Sequence, residues 1–368
     1  MKAIDSLRAE KKVMNNETYR RDRSYRWNYR NGPSFKGPFP RITGASQKEF
    51  FGSKVNSRLG VAAGILLNSR WVECYSRLGF DILTYKTVRS SERPCYPLPN
   101  WVFVESVNDL EAGSDEILRK ARRRARDPAE VTSAVCFGMP SQPPEVWRKD
   151  VRRARGKLRP GQLLVVSVVG TPAEGGGEAS LVEDFCRCAR WADEAGADIV
   201  EANFSCPNVC TAEGSIYQDP GASGRLALAL REALPSTPLF IKSGHFNDRR
   251  KLNRFYQSVA GSADAVVLVN GVSRRVLGED GRPVFGGFER VGILGRAIHP
   301  AAVSNVRAAV EYSARKSLEV KTIAVGGVTG IEDPGPFFEA GASGVVMGGV
   351  PMLDPLLADR MKRNHPDW

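Results

Sequence analysis

The chain has 368 residues, of which 42% are hydrophobic and 26% charged, and its formal net charge at pH 7 is +12. This composition supports an ordinary globular core and excludes a largely disordered chain. The sequence contains no stretch of about 18 consecutive apolar residues, so we expect no membrane span. The N-terminus lacks the apolar segment of a secretory signal, so we expect a cytoplasmic protein.

The cysteines and histidines do not follow the pattern of the common metal centres. Seven cysteines are scattered along the chain without a Cys-x-x-Cys pair, and the three histidines lack the spacing of metal ligands. We therefore expect reduced thiols, as is usual in the cytosol, and no metal site.

Basic residues are frequent in an N-terminal extension, residues 1–41, and in two clusters at 119–126 and 148–159. The extension predicts either an arm packed over the body or a mobile tail. Clustered basic charge can bind nucleic acid, but neither cluster is interleaved with aromatic residues. We therefore interpret both clusters as solvated helix faces and expect no nucleic-acid partner. A positive field can also steer an anionic substrate.

The remainder of the chain, residues 42–368, alternates short apolar runs with helical patterns. Such alternation is typical of parallel β/α units, and eight units predict a closed (β/α)8 barrel, the TIM-barrel class of α/β folds. The eight apolar runs cover residues 57–64, 80–88, 162–170, 197–205, 238–244, 263–271, 321–328 and 342–350.

Two connections in this pattern are much longer than the others. Residues 89–161 separate the second and third strands and contain a further apolar run at 132–140, and residues 271–300 separate the sixth and seventh strands. Long connections that follow barrel strands are usually lids or insertions near the active site. We therefore expect an insertion at about 89–161 and a second one at 271–300.

The predicted carboxyl ends of the strands carry small and polar residues. Paired glycines at 326–327 and 348–349 end strands seven and eight, where barrels commonly bind phosphate through backbone N–H groups. Lys86 and Lys242 lie within apolar strands, and a buried lysine needs a partner. The partner is either a carboxylate in an ion pair or an electron-rich ligand such as a flavin, whose reduced anionic form a cation stabilises.

The motifs at the strand ends resemble those of a known family. "VAAG", "YKT", "NFSCPNV", "FIKSG", "VNG", "AVGGV" and "GASGVVMGG" occur in this order between about Ile42 and about Pro355. They resemble the dihydroorotate dehydrogenases, FMN-containing barrels that oxidise dihydroorotate to orotate. The most specific motif is Asn-x-Ser-Cys-Pro-Asn. Its cysteine is the catalytic base in the cytosolic class 1 branch, whereas the membrane-associated class 2 branch has serine there.

The resemblance implies a role for each matching residue. Cys206 would be the catalytic base, taking a proton from the substrate while a hydride passes to FMN. Substrate would be bound by Lys86, Asn203, Asn208 and Asn270. The FMN cofactor would be bound by Ala62, Ala63, Gly64, Lys86, Thr87, Asn203, Lys242, Gly295, Gly326, Gly327, Gly348 and Gly349.

One motif departs from the family pattern and leaves the substrate open. The substrate loop of the family reads Asn-Ser-x-Gly-x-x-Asn. The closest stretch here is "AVCFGMPSQ", with Cys136 and Phe137 where the first Asn and Ser would be, and Ser141 or Gln142 near the second Asn. One arm of the orotate clamp is therefore changed, so we expect a small anionic or cyclic-amide substrate, either dihydroorotate or a related dihydropyrimidine or cyclic amide.

The sequence also allows two other functions. A tRNA dihydrouridine synthase is also an FMN barrel with a Cys-Pro motif and would explain the charge of +12, although "SCPN" and "YKT" favour the first family. A barrel that only binds flavin would explain the altered loop. By resemblance we expect a homodimer, and as electron acceptor either fumarate or an electron-transfer subunit that carries its own cluster, because this chain has no cluster motif.

Overall fold

The computed structural model describes residues 17–41, 47–105, 109–110, 114–205 and 215–368. Eight parallel strands pair in chain order and close into one barrel. This confirms the predicted (β/α)8 fold. Seven of these strands lie within one predicted apolar run each, and the first begins inside the run 57–64 and ends two residues beyond it. The barrel strands are β3 (Leu59–Leu66), β4 (Ile82–Val88), β8 (Leu163–Val168), β9 (Ile199–Asn203), β10 (Leu239–Lys242), β11 (Ala265–Leu268), β14 (Lys321–Val325) and β15 (Gly344–Met347). The other strands are β1 (Lys48–Phe50), β2 (Ser53–Val55), β5 (Trp101–Phe103), β6 (Leu118–Arg119), β7 (Thr132–Val135), β12 (Val272–Leu277) and β13 (Arg290–Gly295).

The helices begin where the sequence supplies caps. The side chains of Asn68, Asp219 and Asp248 accept hydrogen bonds from backbone N–H groups of the first turn, which would otherwise lack partners. No helix in the described ranges has the length and apolarity needed to cross a membrane. The α-helices are Tyr25–Asn31, Ser69–Arg77, Pro144–Arg155, Gly177–Glu194, Pro220–Ala233, Arg249–Val259, His299–Arg315, Pro334–Glu339 and Leu357–Asn364.

The amino-terminal end of the barrel is filled by side chains. The β1–β2 hairpin contributes Phe50 and Val55 to a buried cluster with Leu163, Phe240 and Ile323 from the barrel strands. The ring of Phe50 lies 6.3 Å from that of Phe240. Such packing makes the barrel interior a core rather than a pore, so a ligand is expected at the opposite, carboxyl end of the strands.

The two long connections together form a second sheet. Strands β5, β6 and β7 come from the connection after β4, and β12 and β13 come from the connection after β11. They pair in the order β5-β7-β13-β12-β6, and β7 and β13, from different connections, are antiparallel neighbours. The two insertions that the sequence predicted separately are therefore one structural unit.

Residues 17–41 of the N-terminal extension pack against the barrel. The backbone N–H of Thr18 donates to the carbonyl oxygen of Met352 at 2.9 Å, and the Thr18 hydroxyl lies 2.7 Å from that of Tyr75. Tyr19 and Tyr25 are buried. This part of the extension is thus a packed arm. Residues 1–16 and 42–46 lie outside the described residues.

The two basic clusters differ in structure. The second cluster lies largely on helix Pro144–Arg155, with Arg152 and Arg153 exposed as predicted. The first cluster, 119–126, is not helical, so the prediction of a helix face was wrong there. Its backbone pairs with the second sheet instead: the N–H of Lys120 donates to Leu277 and that of Ala121 to Phe103, each at 2.9 Å.

Candidate active site

A cavity of about 1240 Å³, including its open mouth, lies at the carboxyl ends of the barrel strands. Strands β5, β7 and β13 of the second sheet contribute to its wall. Its size is sufficient for a cofactor together with a small substrate. Every described residue that the sequence predicted for cofactor or substrate binding lines it, namely Ala62, Ala63, Gly64, Lys86, Thr87, Asn203, Lys242, Asn270, Gly295, Gly326, Gly327, Gly348 and Gly349. Cys206 and Asn208, the predicted base and a predicted substrate ligand, lie outside the described residues.

The glycines after β14 and β15 serve different purposes. Gly327 has a φ of +78°, and a Cβ at this position would lie 2.3 Å from the Cα of His299, so the fold itself requires glycine. A Cβ on Gly348 would meet no atom of the described chain within 4 Å. Gly348 therefore borders open cavity space, where backbone groups can approach an anion closely.

The two buried lysines both line the cavity, and Lys242 forms an ion pair in its wall. The Nζ atom of Lys242 lies 3.5 Å from Oε1 of Glu201, and the two side chains are 2% and 3% exposed. Lys86 is buried on β4. The ion-pair and ligand interpretations of Lys242 are therefore compatible, because its ammonium group is held by Glu201 at the cavity wall.

The predicted substrate amides also fix the backbone that leads to Cys206. Oδ1 of Asn203 accepts a hydrogen bond from the N–H of Ser205 at 3.1 Å, and Nδ2 of Asn270 donates to the carbonyl oxygen of Ser205 at 2.6 Å. Ser205 immediately precedes Cys206 in the sequence. The two asparagines thus hold both backbone polar groups of the residue before the predicted base.

The altered substrate loop requires a correction of register. Counted back from Gly138, the pattern Asn-Ser-x-Gly places Val135 and Cys136 at the Asn and Ser positions, not Cys136 and Phe137. Val135 and Phe137 line the cavity, whereas Cys136 is buried in the core of the second sheet. Because side chains alternate along a strand, the changed group that faces the cavity is Val135, an apolar side chain where the family has an amide.

Arg89 holds this loop in place, a role that the sequence did not reveal. Its backbone N–H donates to the hydroxyl of Ser141 at 3.1 Å, and its Nε donates to the carbonyl oxygen of Met139 at 3.3 Å. Arg89 is fully buried. The sequence does place this arginine directly after the apolar strand β4, where it is expected to be buried. A buried guanidinium needs hydrogen-bond partners, so such an arginine indicates a structural role.

Aromatic residues that sequence reasoning missed complete the wall. The ring of Tyr19, from the N-terminal arm, lies 6.1 Å from those of Trp101 and Phe137, and all three residues line the cavity. The indole N–H of Trp101 is buried and has no hydrogen-bond partner in the described part of the chain. Such a donor favours a ligand with an acceptor group, because a buried donor left unpaired is costly.

The thiols whose pKa values are shifted are poor bases. Burial raises the pKa of Cys95 to about 11, despite the nearby charge of Lys86, and that of Cys74 to about 12. Burial also raises the pKa values of Cys186 and Cys188. These four thiols therefore stay protonated at neutral pH. Within the described ranges, no group of three or more His, Cys, Asp or Glu residues could hold a metal ion.

Fold and cavity together define a (β/α)8-barrel enzyme, since enzymes of this fold carry their active sites at the carboxyl ends of the strands. The family model described as dihydroorotate dehydrogenase matches residues 45–366. The chain therefore belongs to the dihydroorotate dehydrogenase family and is an oxidoreductase of the kind that acts on a CH–CH bond. This confirms the resemblance seen in the strand-end motifs, and it disfavours both the tRNA dihydrouridine synthase and the non-catalytic barrel.

Individual relatives agree with this assignment. A dihydroorotate dehydrogenase of Dictyostelium discoideum is 32% identical over 370 residues, which cover 96% of this chain and 98% of the relative. The catalytic subunit of dihydroorotate dehydrogenase B (NAD(+)) of Alkaliphilus oremlandii is 29% identical over 175 residues, 47% of this chain and 55% of that protein. A crystal structure of a dihydroorotate dehydrogenase of Eimeria tenella, in complex with ferulenol, has a TM-score of 0.69 at 18% identity and covers 97% of this chain and 89% of that chain.

Proposed function

We propose that the chain binds FMN in this cavity and oxidises dihydroorotate to orotate, with Cys206 as the base. The observation that carries the proposal is the cavity itself, which collects every described residue that the family motifs assign to cofactor or substrate. These residues come from seven of the eight barrel strands or the turns after them, and from β13. The Dictyostelium relative, which is similar over almost its whole length, carries the name of this reaction.

The cavity wall fits a flavin mononucleotide. Glycine backbone after β14 and β15 suits a phosphate, and the open space at Gly348 allows close approach. Lys86 and Lys242 suit a ring system that gains negative charge on reduction. The unpaired indole N–H of Trp101 offers a further donor. When bound, FMN supplies the acceptor for the hydride that leaves C6 of the substrate.

The protein contributes a base and its placement. Cys206, as thiolate, takes the proton from C5 of dihydroorotate. An ordinary cysteine has a pKa of about 8.5, so only a minor fraction is thiolate at neutral pH unless the site lowers that value. The hydrogen bonds of Asn203 and Asn270 to Ser205 restrict the backbone next to Cys206. Restricting a reacting group in this way lowers the entropic part of the barrier.

The surrounding residues shield the reaction from water. Tyr19 and Trp101 are 4% and 5% exposed and lie beside Phe137 at the cavity wall. Exclusion of water strengthens the attraction between the lysines and a negatively charged ligand. The N-terminal arm, which supplies Tyr19, is thus part of the proposed active site.

We predict that the chain forms a homodimer, with or without an electron-transfer subunit. The Alkaliphilus relative is named as a catalytic subunit, which supports an electron-transfer subunit as one way to reoxidise the flavin. A homodimer without such a subunit, with fumarate as acceptor, is the alternative. Sedimentation of the purified chain, with turnover assays using fumarate and NAD+, distinguishes the two.

The proposal is tested by the visible spectrum of the purified protein under anaerobic conditions. We expect a bound flavin whose visible band bleaches when dihydroorotate is added. Failure of the protein to bind FMN would refute the cofactor assignment. A flavin that dihydroorotate leaves oxidised, but that another dihydropyrimidine bleaches, would refute the substrate assignment and keep the site.

A further inference from the structure

A second cavity lies next to the proposed active site, on the other side of Trp101. It is about 1210 Å³ in volume, including its mouth, and Trp101 belongs to the walls of both cavities. Its wall combines β5, one residue of the N-terminal arm and the first basic cluster. We call it the arginine cleft, and its charged residues are Arg21, Lys120, Arg122, Arg123, Arg124 and Arg126.

Positive charge is in excess in the arginine cleft. No carboxylate is among its lining residues. Arg122 pairs with Glu279 at 2.8 Å, and Arg124 pairs with Glu17. Within the described residues, no ion pair involves the other four cations of the cleft. The carboxylates of Glu105 and Glu130 line an adjoining pocket and not the cleft. The wall of the cleft is therefore positively charged.

The cleft has a buried floor and is more than a patch of surface lysines and arginines. The guanidinium of Arg21 lies 4.1 Å from the ring centroid of Phe103 and 5.8 Å from that of Trp101. The Nε atom of Arg21 is buried and has no hydrogen-bond partner among the described residues. Burial lowers the pKa of Arg21; the nearby charge of Glu17 opposes this, and the like charge of Arg124 adds to it. An anion in the cleft would offset both the burial of the guanidinium and its repulsion by Arg124.

We propose that the arginine cleft binds a compound with adjacent phosphate groups, such as a nucleoside di- or triphosphate. Guanidinium groups match phosphate oxygens in geometry and charge. The four cations without an ion pair exceed what a single phosphate would neutralise, which favours two or more phosphate groups. All six cations line this one cavity, and no aromatic ring alternates with those of the basic cluster 119–126, which favours a small ligand over a nucleic-acid strand.

The position of the cleft connects it to the proposed active site. Trp101 separates the two cavities. Phe103 lies two residues further along β5, and the guanidinium of Arg21 packs over its ring. Tyr19 of the active-site cavity and Arg21 of the cleft are two residues apart on the same arm. A ligand in the cleft would therefore contact Trp101, which also lines the active-site cavity. A ligand bound there could act as an effector of the enzyme.

The test is calorimetric titration of the full-length, FMN-loaded protein with inorganic tripolyphosphate at a fixed, physiological salt concentration. We expect saturable binding of one tripolyphosphate per chain. The double variant Arg123→Gln/Arg126→Gln should weaken binding at least about tenfold, because two charge-assisted contacts are lost. Both positions are exposed, so the variant should fold.

A matched control separates a defined site from general basicity. The double variant Arg152→Gln/Arg153→Gln removes the same charge from an exposed helix face and should leave the affinity unchanged within about twofold. Absence of saturable binding would overturn the proposal, and so would equal weakening in both double variants. Tighter binding of a single-stranded thymidine oligonucleotide than of tripolyphosphate would replace the small ligand by nucleic acid.

Discussion

The side-chain amide of Asn270 donates a hydrogen bond of 2.6 Å to the carbonyl oxygen of Ser205, the residue immediately before Cys206. Asn203 holds the N–H of the same residue. The family motif assigns both asparagines to the substrate, and the structure gives them a second task. The bond from Asn270 joins the segment after β11 to the segment after β9, immediately before the proposed base.

We expect Asn270→Ala to lower kcat at least about tenfold, because the backbone before Cys206 loses a restraint. The Kd of FMN should change less than kcat does. Asn305→Ala is the control, since Asn305 holds both the N–H and the carbonyl oxygen of Phe246 with similar bonds away from the cavity. An equal fall of kcat in both folded variants, measured with dihydroorotate, would contradict a specific role of Asn270.

The ion pair of Lys242 and Glu201 predicts a separation of stability from cofactor binding. Lys242→Met leaves a buried carboxylate alone and should lower the free energy of unfolding by about 3–5 kcal/mol. Lys242→Met/Glu201→Gln should regain most of this stability. Because Lys242 also faces the proposed flavin site, both variants should raise the Kd of FMN. A normal FMN Kd in the double variant would restrict Lys242 to the ion pair.

Gly348 and Gly327 offer a matched pair of substitutions. Gly327→Ala should lower the free energy of unfolding by about 2 kcal/mol or more, because of its positive φ and the close approach of His299. Gly348→Ala should change stability by less than about 0.5 kcal/mol and yet weaken FMN binding at least about tenfold. Urea unfolding of the apoprotein and fluorescence titration with FMN measure the two effects. Unchanged FMN affinity in Gly348→Ala would show that the flavin does not approach this glycine.

Cys206→Ser should lower turnover with dihydroorotate at least about 100-fold, because a serine hydroxyl loses its proton far less readily than a thiol in a site that holds a cysteine base. FMN should stay bound. A base works in its deprotonated form, so the rate of flavin reduction should rise with pH through the pKa of Cys206 and lose this dependence in the variant. Cys95→Ser is the control: with a pKa of about 11, its thiol is not a base at neutral pH. A comparable loss of turnover in Cys95→Ser would contradict the assignment.

Val135→Asn should lower the KM for dihydroorotate at least about fivefold, since it restores the amide that the family pattern has at this wall position and adds about one hydrogen bond. Val135→Leu, of similar size without an amide, should give no such gain. An unchanged KM in Val135→Asn would indicate that the physiological substrate of this chain is not clamped from this side.

Much of the fold and most of the cavity could be predicted from the sequence. Parallel barrel strands are buried on both faces, so they appear as continuous apolar runs, and any polar residue within them stands out. Lys86 and Asn203 are two such polar residues. All the predicted site residues that the structure describes lie in one cavity because the carboxyl ends of all eight strands face the same side.

What the sequence could not reveal depends on contacts between distant segments. The pairing of β7 with β13 joins residues more than 150 positions apart, and no local pattern encodes that partner choice. Tyr19 lies in the cavity wall next to Thr18, which anchors the arm to Met352 and Tyr75, residues far away in the sequence. The non-helical state of 119–126 follows from its pairing with the second sheet, which overrides the local tendency of its alanine and arginine residues to form a helix.

The most direct test of the central claim is the amount of orotate formed per flavin in a single anaerobic turnover. Purified, FMN-loaded protein is mixed with excess dihydroorotate without an electron acceptor, and the products are separated by chromatography. We predict one orotate for each FMN reduced, and almost none in Cys206→Ser. A fully loaded enzyme that forms no orotate while its flavin stays oxidised would contradict the proposal that this cavity oxidises dihydroorotate.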